Sequence, residues 1–229
     1  MDGSLPERLA AIVAARSEPK QAAWFANAMA EAGADDAARA LPIAFAGAGR
    51  RLGRATATLT DSERDALRAA GMTDLPDTWG LDEIGRVALL LRAASQISET
   101  ARGRLVADLY EKGELREQQA VLRALAHLPE PRSYLAVAVT ACRSHAQSVF
   151  EAIACENPYP AAFFPDLNFN QMVLKAVFTG ASVDRIAGLD ARITPELARM
   201  AEGYASERRA AGRPIPADID RITARARRT

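Results

Sequence analysis

The side chains best suited to holding a ligand fall in one short segment, residues 156–180, which reads ENPYPAAFFPDLNFNQMVLKAVFTG. If a helix follows Pro165, the polar residues Asn168, Gln171 and Lys175 recur at three- and four-residue spacing and share one face. The rest of that helix is apolar, and a helix that is apolar almost all round is buried. A buried polar stripe needs hydrogen-bond partners or a cavity. Two interpretations therefore stay open, a polar-lined pocket and a stripe that faces solvent.

In the pocket interpretation, the two amides hydrogen-bond a ligand and Lys175 supplies a positive charge, with Asn157 and Tyr159 lying over the site. A second group of charged residues follows between positions 185 and 208. Salt bridges that hold the loop are the usual explanation for so many charged side chains in a short segment. Our hypothesis counts part of this group in the same binding face. The candidate ligand- or partner-binding residues are Asn157, Tyr159, Asn168, Gln171, Lys175, Arg185, Asp190, Arg192 and Arg199.

A second segment, GAGRRLG at residues 47–53, invites comparison with phosphate-binding loops. Its glycines do not have the GxGxxG spacing, and no strand is predicted before them. We interpret the segment as a basic loop that ends a helix predicted over 35–45. Anion binding at Arg50, Arg51 or Arg54 stays open as a minority alternative.

The remaining reactive residue types form no recognisable catalytic or metal-binding pattern. His127 and His145 have no histidine, cysteine or acid at metal-ligand spacing, so no metal and no cofactor is predicted. Cys142 and Cys155 form neither a CxxC motif nor a disulfide framework, which favours a reducing compartment. No catalytic residue is predicted.

Composition narrows the class of protein further. The 229 residues carry 29 basic and 29 acidic side chains, and this zero net charge argues against a nucleic-acid partner. The start, with Asp2 and Glu7, does not have the pattern of a signal peptide. The longest uncharged apolar stretches, such as 87–91, are far shorter than the ~20 residues of a membrane span. We expect a soluble, cytoplasmic chain that is not an integral membrane protein.

Apolar spacing and capping residues, among them a capping box of Thr60 and Glu63, predict helices almost throughout. The strongly apolar helix over 81–94 is expected at the centre of the fold, whereas 72–80 and 156–165 are predicted to be irregular. The segment 134–142 is rich in valine but has no second strand to pair with, so we interpret it as a buried helix. Short breaks between successive helices favour antiparallel neighbours. We predict an all-α fold of stacked antiparallel helical hairpins, either a HEAT- or TPR-like right-handed array or an irregular helical bundle, with no sheet. The predicted helices are 5–15, 18–32, 35–45, 61–71, 81–94, 98–111, 114–128, 132–142, 145–155, 167–179, one capped by Thr194, and a terminal one.

The predicted organisation is one domain over residues 1–213. It comprises N-terminal helices over 1–58, central hairpins over 59–155 and a distinctive segment over 156–213. The prolines Pro214 and Pro216 precede residues 214–229, which are predicted to form a terminal helix or tail.

Several motifs in the last third of the chain resemble, in the same order, the C-terminal half of the EboA family. They are NPYP (157–160), FP (164–165), NQMVLKAVFxG (170–180), GLDAR (188–192), ELARM (196–200) and YAxERxxAGR (204–213), where x marks a position outside the match. Farther upstream, GRRLGR and the segment from Trp79 to Leu91 are similar to the basic loop and central helix of that family. The chain departs from the family pattern at Arg209, where an aromatic residue is expected, and at Gly49, where proline is expected.

The resemblance implies a bacterial protein encoded with others in a gene cluster that moves a secondary-metabolite precursor, and it transfers no catalytic residue. Together with the residue patterns, it predicts a non-catalytic accessory protein that binds a small metabolite or a partner protein from the same cluster. Two alternatives stay open. One is an enzyme acting on a small polar or phosphorylated metabolite, and the other is a purely structural helical scaffold.

Overall fold

The computed structural model describes residues 3–73 and 78–226, and over these ranges the secondary structure is helical with no sheet. This confirms the all-α prediction, whereas the stacked-hairpin arrangement stays a prediction. Short 3₁₀ turns lie at Leu125–His127, Pro131–Tyr134 and Val183–Arg185. The α-helices are α1 (Leu5–Ala15), α2 (Pro19–Ala32), α3 (Ala37–Leu52), α4 (Asp61–Ala69), α5 (Leu81–Ala94), α6 (Glu99–Lys112), α7 (Leu115–Ala124), α8 (Leu135–Cys142), α9 (Gln147–Ala154), α10 (Tyr159–Phe163), α11 (Asp166–Thr179), α12 (Leu189–Arg192), α13 (Pro195–Ala210) and α14 (Asp218–Ala226).

Backbone contacts divide the chain into two compact units, Met1–Ala141 and Cys142–Thr229. The predicted organisation, with one domain over 1–213, stays a prediction. Within the described parts of both units, no helix has both the length and the apolar character needed to cross a membrane.

Helix α5 is the centre of the first unit, as its continuous apolar pattern predicts. All of its residues except Arg92 are buried, and it packs against α1, α2, α3 and α7. Gly85 allows one of these contacts, because a Cβ atom at this position would lie 2.4 Å from Cδ1 of Leu52 on α3. The close approach of α3 to α5 therefore depends on a residue without a side chain.

Helix α5 also buries charges, which are paired with one another. Oδ2 of Asp82 accepts hydrogen bonds from Nη1 of Arg86 at 2.7 Å and Nε of Arg116 at 2.8 Å. Arg86 also donates from Nε to the carbonyl oxygen of Phe45 at 2.9 Å. Burial acts to raise the pKa of Asp82, but the hydrogen bonds and positive charges of Arg116 and Arg86 outweigh it and lower that pKa. These charges satisfy one another inside the core, so they hold the unit together.

The predicted end of the third helix at Phe45 is wrong, because α3 continues through GAGRRLG to Leu52. Gly49 lies against the neighbouring helix, because a Cβ at this position would lie 3.0 Å from Nη2 of Arg86. At Gly47 a Cβ would have ordinary contact with the Trp24 ring, at 3.6 Å. Gly53 has a φ of 75° and follows the last helical residue, as expected of a terminating glycine.

The predicted irregular segment 156–165 is also partly wrong, because α10 forms within it. Pro160 lies in the first turn of α10, where a helix does not use the missing backbone N–H. By contrast, residues 135–142 are helical, which confirms the interpretation of 134–142 as a helix. The expectation that this helix is buried is wrong, because only Ala138 and Ala141 of α8 are buried. The predicted loop at 72–80 lies partly outside the described residues, as does the end of the terminal helix or tail predicted over 214–229.

Candidate functional site

Helix α11 carries the predicted polar stripe, and the structure confirms its apolar core-facing side. Five residues of that side are buried: Phe169, Met172, Val173, Ala176 and Val177. Burial does not extend all round, because Leu167 is 62% exposed and Phe178 is 70% exposed. Asn168 is half-buried and Gln171 is exposed. The expectation of a helix buried on nearly all sides is therefore wrong for this outer face.

Lys175 is half-buried, and its ammonium group is held by backbone oxygens. Nζ donates to the carbonyl oxygens of Cys142 at 2.7 Å and Ser144 at 2.6 Å. It also lies 4.7 Å from the centre of the Phe150 ring. Burial lowers the pKa of Lys175. The lysine thus closes the carboxyl end of α8, a role that neither sequence interpretation included.

The buried Asn157 and Tyr159 organise the loop before α11. Asn157 donates from Nδ2 to the carbonyl oxygen of Ala152 at 2.9 Å, and its Oδ1 accepts from the backbone N–H of Tyr159 at 2.9 Å. The Tyr159 ring lies against Phe163 and Phe164, with ring centres 4.8 and 6.2 Å away. Both predicted residues therefore have structural partners here.

Arg185 and Arg192 tie the following turns to the segment before α11. Arg185 donates to Glu156 at 2.6 and 2.9 Å and to Glu151 at 2.6 Å. The hydrogen bonds that Arg185 donates to Glu156 and, to a lesser extent, to Glu151 raise the pKa of Arg185. Arg192 donates to the carbonyl oxygens of Ala161 and Phe164 at 2.6 and 2.8 Å, and to Asp166 at 3.0 Å. These contacts are the loop-holding salt bridges that the charge density suggested.

The other two predicted residues make exposed ion pairs. Asp190 accepts from Arg221 at 3.3 Å, and Arg199 donates to Glu196 at 2.6 and 2.8 Å. Each charged member of the predicted set thus has its own separate partners. The structure does not bring the set together around one cavity at Lys175, and the binding roles of its residues stay predictions.

The first unit contains a concave site, a cavity of about 940 Å³ between α2 and α3, which we call the α2–α3 groove. Small residues that are buried or half-buried form its base. These are Ala28, Ala40, Ala44 and Gly47. Longer side chains complete its lining: Trp24, Asn27, Glu31, Asp36, Arg39, Ile43, Arg50 and Arg51. Because small residues face one another where two helices meet, a depression stays open between the longer side chains.

The charged side chains of the groove have no ionic or hydrogen-bonding partner within the part of the chain that the structure describes. Among the residues that the structure describes, Arg39, Arg50, Glu31 and Asp36 form no ion pair or side-chain hydrogen bond. Arg51 places its guanidinium group 6.0 Å from the Trp24 ring centre. Elsewhere in the unit, Arg16, Arg86 and other arginines are paired. The groove therefore presents hydrogen-bonding capacity that internal contacts do not use.

Only part of this groove could be predicted from the sequence. Arg50 and Arg51 were candidates for anion binding, although as part of a loop. The signal that could have located the site is the helical spacing of the small residues Ala40, Ala44 and Gly47, which predicts a close helix contact if the segment is interpreted as one helix through its glycines.

The two cysteines lack the character of nucleophiles. Burial raises the pKa of Cys142 to about 12 and that of Cys155 to about 11. Both thiols therefore stay protonated at neutral pH, and a thiol is a much weaker nucleophile than a thiolate.

Fold and site together define an all-α protein whose open, arginine-lined groove lies between two helices. The chain belongs to the EboA family, because the family model described as metabolite traffic protein EboA matches residues 5–224. The match extends the resemblance first noted over 157–213 to most of the chain, and it includes α2 and α3. Comparisons with curated proteins and with solved structures gave no match.

Proposed function

We propose that this protein is a non-catalytic accessory protein of metabolite traffic, and that it binds a small metabolite in the α2–α3 groove. The observation that carries the proposal is the groove itself, a concave site with unpaired charged side chains. Its volume of about 940 Å³ lies within the ~300–1,000 Å³ range of small-molecule sites. Membership of a metabolite traffic family supports the same function.

The mixed lining of the groove suits reversible binding. Trp24 and Ile43 offer apolar surface, and Ile43 is 78% exposed. Arginine and carboxylate side chains offer hydrogen bonds that fix the orientation of a polar compound. An accessory protein that carries or presents a metabolite needs this combination, because binding must be specific yet reversible.

Thermal-shift screening against a panel of polar metabolites and sugar phosphates tests the proposal. A compound that binds only the folded protein raises the melting temperature by mass action. The decisive variant is Ala40→Phe, which fills the groove from its base. The matched control is Ala38→Phe, an exposed position on the same helix outside the groove lining.

We expect stabilising compounds to lose their effect in Ala40→Phe and to retain it in Ala38→Phe. A panel with no stabilising compound, or one whose stabilising effects survive Ala40→Phe, would contradict binding at the groove. Circular dichroism of both variants checks that each keeps its helical content.

A second candidate function, docking of a partner protein, is favoured by the outer face of α11. Leu167 and Phe178 are both strongly exposed, and with Gln171 and Leu174 they recur on one face of the helix. Exposed apolar residues grouped on one surface are typical of interaction sites. The predicted polar stripe borders this face.

The Leu167→Ser/Phe178→Ser double variant tests the docking function. Each purified protein encoded in the same gene cluster would be titrated against wild type and variant by biolayer interferometry. Docking at α11 predicts a partner whose binding is lost in the double variant and kept in Ala40→Phe. Equal binding to wild type and double variant would exclude this face.

A further inference from the structure

The α2–α3 groove is electrically asymmetric along its length. Arg50 and Arg51 lie at one end, beside Trp24, because α3 runs antiparallel to α2 and its last turn meets the first half of α2. Glu31 and Asp36 lie at the other end, where α2 finishes and α3 begins, and Arg39 in the first turn of α3 offsets part of their negative charge. The stretch of α2 from Trp24 to Glu31 rises about 10 Å.

The two arginines at the cationic end are free to bind an anion. Neither Arg50 nor Arg51 makes an ion pair among the described residues, and the guanidinium group of Arg51 lies over the Trp24 ring. A guanidinium group near a ring face keeps its N–H edge available for a planar oxyanion. The acidic residues of the groove do not compete for this edge, because they lie at the opposite end.

Apolar surface adjoins the same end of the groove. The Trp24 ring lies beside Gly47, since a Cβ at Gly47 would be 3.6 Å from Cζ2 of the ring, and both residues line the groove. Ala44 and Ala28 continue a small, uncharged base toward the middle of the groove. This surface fits a flat ring and offers it stacking and dispersion contacts.

We infer that the groove binds a small molecule in which an oxyanion, either carboxylate or phosphate, is attached to an aromatic or other planar ring. Arg50 and Arg51 bind the oxyanion, and the ring lies against Trp24 over the alanine and glycine base. Glu31 and Asp36 accept hydrogen bonds from hydroxyl or amino groups at the far end of the ligand. The inference rests on the proposed function, since it names the ligand class of the same groove.

Isothermal titration with simple probes tests this ligand class. Phenyl phosphate carries a phosphate on a ring, and benzoate carries a carboxylate on a ring. Inorganic phosphate supplies an oxyanion without a ring, and phenol supplies a ring without an oxyanion. The test variant is Arg50→Gln/Arg51→Gln. The control is Arg209→Gln/Arg213→Gln, which removes the same charge from exposed residues of the second unit.

We expect at least one of the two ring-bearing anions to bind more tightly than both inorganic phosphate and phenol. Its affinity should fall at least about tenfold in Arg50→Gln/Arg51→Gln, since charge-assisted hydrogen bonds are lost, and should stay unchanged in the control. Added salt should weaken the binding by screening. The stronger of the two probes identifies phosphate or carboxylate as the preferred oxyanion.

Two results would overturn the inference. One is binding no tighter than that of inorganic phosphate or phenol, and the other is equal affinity in wild type and the groove double variant. If panel compounds still bind and their binding is lost in Ala40→Phe, the proposed function stands and only the ligand class fails. If nothing binds at the groove, both fail.

Discussion

The ammonium group of Lys175 shows how a single residue can stabilise the end of a helix. The last carbonyl oxygens of a helix have no partners within it. Lys175 donates to the carbonyl oxygen of Cys142, the last residue of α8, and to that of Ser144, two residues farther along the chain. A positive charge at a helix carboxyl end is also favourable to the helix dipole.

Lys175→Met is therefore expected to destabilise the protein. It leaves two partly buried carbonyl oxygens without their donor, which corresponds to a loss of ~1–3 kcal/mol in the free energy of unfolding. Urea denaturation measures the change. Gln171→Met, at an exposed position on the same helix, is the control and should stay within ~0.5 kcal/mol of wild type. An equal effect of both substitutions would contradict the role assigned to the lysine.

The Arg16–Glu63 pair gives a pH-dependent contribution to stability. Arg16 on the end of α1 donates to both carboxylate oxygens of Glu63 at 2.6 and 2.8 Å. These hydrogen bonds, with further ones from Thr60, lower the pKa of Glu63 from 4.5 to about 2. The folded-state pKa is lower than the unfolded one, so the contribution is full above about pH 4.5 and is lost as pH falls toward 2.

Glu63→Gln should remove this pH dependence. Between pH 6 and about pH 2, the free energy of unfolding should fall less steeply in the variant than in wild type, as measured by urea denaturation at a series of pH values. In an Arg16→Met background, Glu63→Gln should have little further effect on the slope. A variant whose slope matches wild type would show that the pair does not carry this contribution.

Residue types and spacing identified some of these positions but not their partners. The capping box at Thr60 and Glu63 is local, so it could be predicted and is confirmed. The partners of Lys175 lie over 30 positions away in the sequence, and spacing along one helix cannot identify them. The same is true of Arg192, whose carbonyl acceptors lie on a segment about 30 residues earlier.

At the scale of elements, glycine inside helices determines how closely α3 and α5 approach. Gly85 has the Leu52 side chain against it, whereas Gly103 on α6 has open space where its Cβ would be. Both residues lie within helices. The two positions therefore separate the packing role of glycine from its low helix propensity.

Gly85→Ala should destabilise the protein by ~1–3 kcal/mol, since overpacking outweighs the gain in helix propensity. Gly103→Ala should stabilise it by up to ~1 kcal/mol, because only the propensity term acts there. Differential scanning calorimetry of the two variants checks both signs. Stabilisation by Gly85→Ala would mean that α3 and α5 are not in close contact at this position.

Elements with strong local signals could be predicted, and those that depend on packing could not. Helices α1 and α5 have the predicted bounds because apolar spacing and end signals agree. The end of α3 was misplaced because glycine was interpreted as a helix terminator. Gly47 and Gly49 instead lie inside the helix, beside the Trp24 and Arg86 side chains. Helix α10 was missed because proline in a first turn resembles proline in a loop.

At the scale of the whole molecule, the formal net charge of zero conceals local asymmetry. Many arginines pair with acids, but the α2–α3 groove keeps Arg50 and Arg51 at one end and Glu31 and Asp36, together with Arg39, at the other, without pairing them. A net charge of zero argues against broad electrostatic partners such as nucleic acid, yet it says nothing of a local anion site. For this reason the candidate site could be located only from the packing of two helices.

The two tryptophans of the chain allow the central claim, ligand binding in the α2–α3 groove, to be measured directly. Trp24 lines the groove, whereas Trp79 is buried in the same unit with Arg123 against its ring at 4.7 Å. Their indole N–H signals in a ¹H–¹⁵N spectrum, assigned with Trp24→Phe, report on the groove and on an internal reference. On titration with a compound that raises the melting temperature, we predict a saturable shift of the Trp24 signal and a constant Trp79 signal. A stabilising compound that leaves the Trp24 signal unmoved at saturation would contradict the claim.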